Sequence, residues 1–521
     1  MREILFQYES INPSTWAYVA SLLAIGLYFK FNRVWSVRNL DIFLIILMAP
    51  GMLMVHFGQQ QILESSQPAI AAANPDASPD DPNKNLPLTP TAELSNSFDL
   101  EPGEEPELAE VVPFPENPSE ANDKEAARTA ARDIGRQLEK YGYIWLFCLS
   151  GLLVVRLFID PTMVRRPMLE PNLTVGGMTF MSIALFIFLM ANIIVGRPSD
   201  ADVRGIRAAE MMLASGDSQE VEKSLRHFGP GYRLLSFLPR IPTSQFAQSE
   251  PTTNEEARSQ RIIVILTKLV AILSNLAMLV GVVLIGYRHF ENLSMGIGAA
   301  LLYLLIPYTA LYTGRVDHVL PGALLVWAIL CYRRPTWAGI FLGLAIGTVY
   351  YPLFLLPLWV SFYWQRGVVR FAIGVTAMLL LLTLTLALVA PNFTTFLNQF
   401  SAMFGLWSPR SEGFTGFWNY FIYSNDFRIP ILAAFVICAC GLAFWPAQKN
   451  LGTMLSCSAA IMLAAQFWHA NDGTTYLAWY MPLLLLTVFR PNLEDRVALH
   501  VIGEGWLPRR PAPAKAAKKA A

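Results

Sequence analysis

The sequence predicts an all-α, polytopic membrane protein with about 11 full spans, a pair of short arms entering the bilayer, and helices lying on the extracytoplasmic surface. Three observations carry that prediction. Of 521 residues, 54% are apolar, 12% aromatic and only 15% charged, which lies outside the range of soluble globular chains. Apolar runs near the roughly 20 residues that cross about 30 Å of hydrocarbon recur along the chain. Lys and Arg gather on alternate loops, the pattern that marks cytoplasmic faces.

The runs fall at about 15–31, 41–57, 141–158, 174–196, 261–286, 293–313, 316–332, 368–390, 429–447, 451–468 and 476–489. Polar residues through Ser14 precede the first run, with no basic start and no small-residue cleavage site, so it reads as a retained helix and not a signal peptide. Basic loops follow alternate spans: Lys30, Arg33 and Arg38; Arg156, Arg165 and Arg166; Arg288; Arg333 and Arg334; Arg366 and Arg370; Lys449; Arg490 and the tail to Lys519. The stretch 337–364 is too long for one span, yet both of its flanks are basic. Two short arms turning at Tyr350-Tyr351-Pro352 preserve the alternation; a proline-kinked tilted helix is the other reading. A turn at that depth must be buried in protein or line a cavity, and half-helices there commonly mark a binding site.

This divides the chain into a two-span segment (1–57), an acidic, Pro-rich extracytoplasmic insert (58–140), a third span with its cytoplasmic loop (141–173), a transmembrane core (174–490) and a basic cytoplasmic tail (491–521). The insert has few aromatic residues and is expected to be largely disordered, apart from a helical run from Glu120 to Tyr141. A second external loop, 197–260, opens with Ser199-Asp200-Ala201-Asp202 and continues with Val203, Ile206, Met211 and Leu213, the pattern of an amphipathic surface helix. A third, 391–428, is dense in aromatics, Trp418 among them, and suits either the headgroup zone or a sugar-stacking wall. Equal numbers of basic and acidic residues, 39 each, argue against nucleic-acid binding. The five cysteines lie in apolar runs and form no disulfide framework or zinc motif.

From the fourth span onward, four local patterns occur in order. Asp200 and Asp202 follow the span ending at Gly196 and precede Ala208-Ala209-Glu210-Met211-Met212-Leu213-Ala214-Ser215-Gly216. Next come Gly229-Pro230-Gly231-Tyr232-Arg233-Leu234-Leu235, then Ile306-Pro307-Tyr308 through Gly314-Arg315-Val316-Asp317-His318, and last Gly339 to Pro357 with Gly343, Gly347 and Pro352. Together these resemble the GT-C superfamily of integral-membrane glycosyltransferases, especially its bacterial mannosyl- and arabinosyltransferase-like branches, over residues 174–490. Many relatives carry a Lys before the first proline of the paired arms, where this chain has Val349, Tyr350 and Tyr351. The first three spans and the insert have no place in the family core.

The resemblance implies inverting transfer of a sugar from a polyprenyl-phosphate donor to a glycan or glycolipid acceptor at the extracytoplasmic face of the inner membrane. It also implies a general base in the first external loop, which nominates Asp202 and Asp200. Arg204, Arg207 and Arg315, with Tyr350 and Tyr351, are candidates for the donor phosphate, since a guanidinium grips two phosphate oxygens at once. Asp317, His318, Trp418, His469 and Asp472 are candidates for lining the site or holding the acceptor. Each has a plainer role available. Asp200 and Asp202 fit as helix caps, Arg315 as a snorkelling headgroup contact, Asp317 as the cap of the following span, and Asn471-Asp472-Gly473 as a tight turn. No phosphate loop, nucleotide fingerprint, nucleophile elbow or metal triad is present. No cofactor is required, although some relatives use a divalent cation. A transporter or flippase of lipid-linked intermediates, or a non-catalytic scaffold, are the alternatives. Transport proteins usually carry charges within their spans, and the spans from 174 onward are almost free of them.

Overall fold

The structure, a computed structural model, describes residues 12–73, 118–163, 169–196, 198, 203, 255–390, 392–404, 414–421, 424–447 and 449–491. Among them every regular element is helical, and several helices start on a side-chain cap. The Asn12 side chain accepts from the Ser14 and Thr15 amides at α1 (Pro13–Tyr28), and Thr174 accepts from the Gly177 amide at α4 (Val175–Val195). Each such bond satisfies one of the amides that a helix start leaves open.

Among the described residues, five helices are long and apolar enough to cross a membrane: Val37–Ser66, Glu125–Thr162, Val175–Val195, Arg261–His289 and Val368–Leu388. Their outward faces are apolar, as with Phe180, Ile183 and Ile187 on α4 and Leu380, Leu384 and Leu388 on the helix Val368–Val389. Five further apolar helices are shorter, at Leu293–Leu305, Val316–Leu330, Pro335–Thr348, Tyr351–Tyr363 and Leu451–Phe467. At 1.5 Å per residue these reach only about 20–25 Å, and their side chains are mostly buried in protein.

The stretch expected to form paired arms does double back. Helix Pro335–Thr348 ends, a 3-10 turn follows at Tyr351–Leu355, and helix Leu356–Tyr363 returns. The Tyr363 hydroxyl donates to the Tyr332 carbonyl at 2.6 Å, which closes the ends of the excursion on one another. A single kinked helix of that length would hold those ends about 40 Å apart. Tyr351, Phe354 and Leu355 at the turn are buried, so its irregular backbone is enclosed by protein. The outgoing arm packs on the helix Val368–Val389 through glycines. A Cβ on Gly339 would stand 2.3 Å from the Phe371 oxygen, and one on Gly374 would stand 2.2 Å from the Thr336 oxygen. Gly374→Val should therefore lower stability by about 1–3 kcal/mol, read as a drop in thermal unfolding midpoint; an unchanged midpoint would show that the helices can separate freely.

The N-terminal region departs from expectation. The helix α2 (Val37–Ala73) has 37 residues and α3 (Pro118–Ile159) has 42, about 55 and 63 Å long. Residues 58–73, assigned to the insert, thus continue the span as helix, and the helical run expected from Glu120 begins at Pro118. Residues 74–117 lie outside the described set. Glycines two turns apart on each helix let α2 and α3 meet backbone to backbone. A Cβ on Gly142 would stand 2.8 Å from the Gly51 oxygen, and one on Gly58 would stand 2.7 Å from the Gly135 oxygen.

At one end of the bundle this hairpin is tied to the helix Met481–Phe489 by ions. Arg156 grips Asp41 through Nε and Nη2 at 2.7 and 2.8 Å and reaches Asp160 at 3.1 Å. Arg490 reaches the other Asp160 oxygen at 2.7 Å. These residues all sit at the basic ends of the spans, as the charge alternation requires. The loops assigned to the other face meet one another at the opposite end.

Candidate functional site

Three loops distant in sequence converge there. The first is the start of the helix Val316–Leu330, where Arg315 and Asp317 form a two-pronged ion pair, Nε to Oδ1 at 3.0 Å and Nη2 to Oδ2 at 2.8 Å. His318 follows, its Nδ1 3.0 Å from the Tyr308 hydroxyl and its ring stacked on Tyr312 at 5.1 Å. The second is the turn between the paired arms, with Tyr350 and Tyr351 stacked on each other at 4.2 Å. The third is the segment 466–480.

A chain of ring contacts joins the three. His318 lies 4.3 Å from Tyr476, Tyr476 4.8 Å from His469, and His469 4.8 Å from Tyr351. Trp479 stacks on Tyr476 at 4.4 Å and donates through Nε1 to the Asp317 carbonyl at 3.0 Å. An aromatic pair such as Tyr476 and Trp479 contributes about 0.5–1.5 kcal/mol beyond area burial. Gln466 holds both ends of the third loop, donating to the Tyr476 carbonyl at 2.9 Å and accepting from the Tyr476 amide at 3.2 Å.

Within that loop the backbone is unusual. Asp472 has φ +45° and Thr474 φ +81°, and for a β-branched residue the left-handed region is an outlier. Gly416, at φ +73°, packs on it so closely that a Cβ would stand 2.7 Å from the Asp472 Cα. The Thr415 amide donates to the Ala470 carbonyl at 3.1 Å and the Asp472 amide to the Thr415 carbonyl at 3.3 Å. Strain of this kind persists where surrounding structure over-determines it, often at functional sites.

The described candidates thus occupy one neighbourhood, with unequal access. Arg315, Tyr350 and Asp472 are partly exposed, whereas Asp317, His318, Tyr351, Trp418 and His469 are buried and form the wall behind them. Trp418 is fixed by donation from Nε1 to the Phe467 carbonyl at 3.1 Å. The Nε–Nη2 edge of Arg315 already holds Asp317, so a phosphate would have to take another edge or displace that carboxylate. Asp200, Asp202, Arg204 and Arg207 lie outside the described residues. Their neighbour Val203 is helical and buried in the core.

Two contributors escaped the sequence reading. Arg428, the cation opening the apolar stretch to Ala447, is buried; its Nε donates to the Trp468 carbonyl at 2.7 Å, and its guanidinium lies 5.1 Å from the Phe414 ring centre. The other is a stripe of α3, Glu139, Tyr143 and Phe147, spaced four residues apart and therefore on one helix face. Tyr143 donates to Asp472 Oδ1 at 3.1 Å, Tyr420 donates to Glu139 Oε2, and Phe147 stacks on Phe417 at 4.0 Å. Burial, and then the Glu139 hydrogen bond, raise the Tyr420 phenol above its ordinary range, so it stays protonated and donating at neutral pH. Among the described residues no three His, Cys, Asp or Glu side chains converge, the donor set that a tightly held cation asks for.

Comparison with family models, with curated proteins and with solved structures finds no match for this chain. The family reading therefore continues to rest on the motifs in the sequence.

Proposed function

We propose that the chain is an inverting membrane glycosyltransferase that moves a sugar from a polyprenyl-phosphate donor to a glycan or glycolipid acceptor at the extracytoplasmic face of the inner membrane. The observation that carries this reading is the meeting of Arg315, Asp317 and His318 with the Tyr350-Tyr351 turn of the doubled-back arms, joined through Tyr476 and His469. Two separate motifs of the resemblance thereby share one place. On this reading the shorter apolar helices also enter the bilayer, giving about 11 spans.

The chemistry needs three parts. A carboxylate takes the proton of the acceptor hydroxyl as that oxygen bonds to the anomeric carbon, which is the role the resemblance gives to Asp202 or Asp200. The bond from the anomeric carbon to the phosphate oxygen breaks, and its electron pair leaves with the phosphate. Cationic and hydrogen-bonding groups then stabilise that anion, with Arg204, Arg207, Arg315 and the two tyrosines nominated. A donor embedded in lipid suits a chain rich in apolar helices. The flippase alternative gains no specific support from this geometry.

The direct test supplies full-length protein in nanodiscs with a panel of radiolabelled polyprenyl-phosphate sugars and membrane extract as acceptor source. Label should move from the lipid-phosphate fraction into a glycan or glycolipid fraction. Release of no sugar from any donor on the panel, with folded protein, would overturn the proposal.

A further inference from the structure

The N-terminal hairpin has no place in the core fold, yet it supplies half of a polar seam beside the candidate site. Gln59 of α2 donates from its amide nitrogen to Glu139 Oε1 at 3.2 Å and to the Tyr143 hydroxyl at 3.4 Å. Tyr143 in turn donates to Asp472 Oδ1, and Tyr420 to Glu139 Oε2. Every hydrogen-bond direction along this chain is thus set, and both Glu139 oxygens are taken. Asp472 differs. Among the described residues no donor reaches its second carboxylate oxygen, although Tyr143 anchors the first and the strained loop fixes the backbone. Two residues on, the Thr474 hydroxyl is fully buried and has no partner among the described residues. Tyr420, partly exposed and bonded to Glu139, borders the seam. Phe417 and Trp418 lie edge to face at 5.2 Å beside it.

A fixed carboxylate with one open oxygen and amide and phenol groups around it matches the hydroxyl donors that a saccharide presents on its edges. We propose that the seam between the N-terminal hairpin and residues 414–420 and 466–476 is a saccharide-binding subsite, in which Asp472 accepts hydrogen bonds from sugar hydroxyls and Tyr143 positions Asp472. This deepens the transferase reading by naming the acceptor end of the site. It also gives the α2–α3 hairpin a part in the site beyond anchoring the insert.

The test uses the full chain in nanodiscs and methyl glycosides of several hexoses and pentoses as probes, read by saturation-transfer NMR. Saturable binding of at least one glycoside is expected, weakened about tenfold or more in Asp472→Asn and Tyr143→Phe, as for loss of a hydrogen bond to a charged group. An alcohol of similar size with one hydroxyl serves as the control and should not compete. Absence of glycoside binding by the unaltered protein overturns the subsite. So does wild-type affinity in both variants, or a loss confined to thermal stability, which is what a merely structural seam would give. The enzyme reading is scored separately. Glycoside binding without sugar transfer sinks the transferase and leaves the subsite, whereas transfer with an unchanged acceptor KM in Asp472→Asn sinks the subsite alone.

Discussion

Replacing Asp160 with alanine is expected to destabilise the protein by about 3–5 kcal/mol, the usual cost of breaking a buried ion network from one side. Asp160 is fully buried and carries Arg156 on one oxygen and Arg490 on the other. Its neighbour Asp41 is also buried and is held by both Nε and Nη2 of Arg156. Two guanidinium groups and two carboxylates therefore balance. Without Asp160 one positive charge stays in a low-dielectric interior with no counterion, and the helix Met481–Phe489 loses its tie to the hairpin. A second substitution reports on the same tie from another direction. A Cβ on Gly452 would fall 1.4 Å from Arg490 Nη1, so Gly452→Val must push that guanidinium out of its path. Unfolding midpoints followed by tryptophan fluorescence in nanodiscs should fall for Asp160→Ala and for Gly452→Val, and the double variant should lose less than the sum, because both act through one contact. Strict additivity, or a midpoint within a degree of the parent for Asp160→Ala, would mean that the network holds nothing together.

The ionic network also shows what the sequence made legible. Arg156 and Arg490 could be assigned to the same face from charge alternation alone, because that rule depends only on composition near span ends. The paired arms were legible for a related reason: two basic flanks around an overlong apolar stretch leave few topologies. The extent of α2 was not. Gln59-Gln60-Gln61 after Phe57 ends the apolar run, but Gln, Leu and Glu sustain a helix, so the end of the apolar run was not the end of the helix. The link between Tyr143 and Asp472 was the least legible feature. These residues are 329 positions apart, and their meeting depends on glycine-mediated packing of α2 on α3 and on a loop folded around Gln466. Periodicity contained a hint, since Glu139, Tyr143 and Phe147 form a mixed polar and aromatic stripe at helical spacing. Nothing local said what that stripe would face.

The largest kinetic effect is expected from Asp200→Asn and Asp202→Asn, and the choice of asparagine is what makes the result decisive. As a helix N-cap, asparagine is about as good as aspartate, and loss of the charge from the first turn changes the dipole interaction by only about 0.3–1 kcal/mol. If these residues do no more than start the surface helix, both variants should fold and turn over like the parent. A general base is different, because an amide cannot accept the proton that the acceptor hydroxyl must lose. Removing such a base typically lowers turnover by about 10²–10⁴-fold, with donor affinity nearly unchanged because the phosphate contacts remain. The residue that carries the proton should show that loss in kcat, and its neighbour should show a smaller change. Carboxylate action also predicts that the parent loses activity as pH falls and the base becomes protonated, a dependence absent from the residual activity of the variant. Full turnover in the double variant, assayed with the same polyprenyl-phosphate sugar, would remove the base from this loop and leave the partly exposed Asp472 as the carboxylate to examine next.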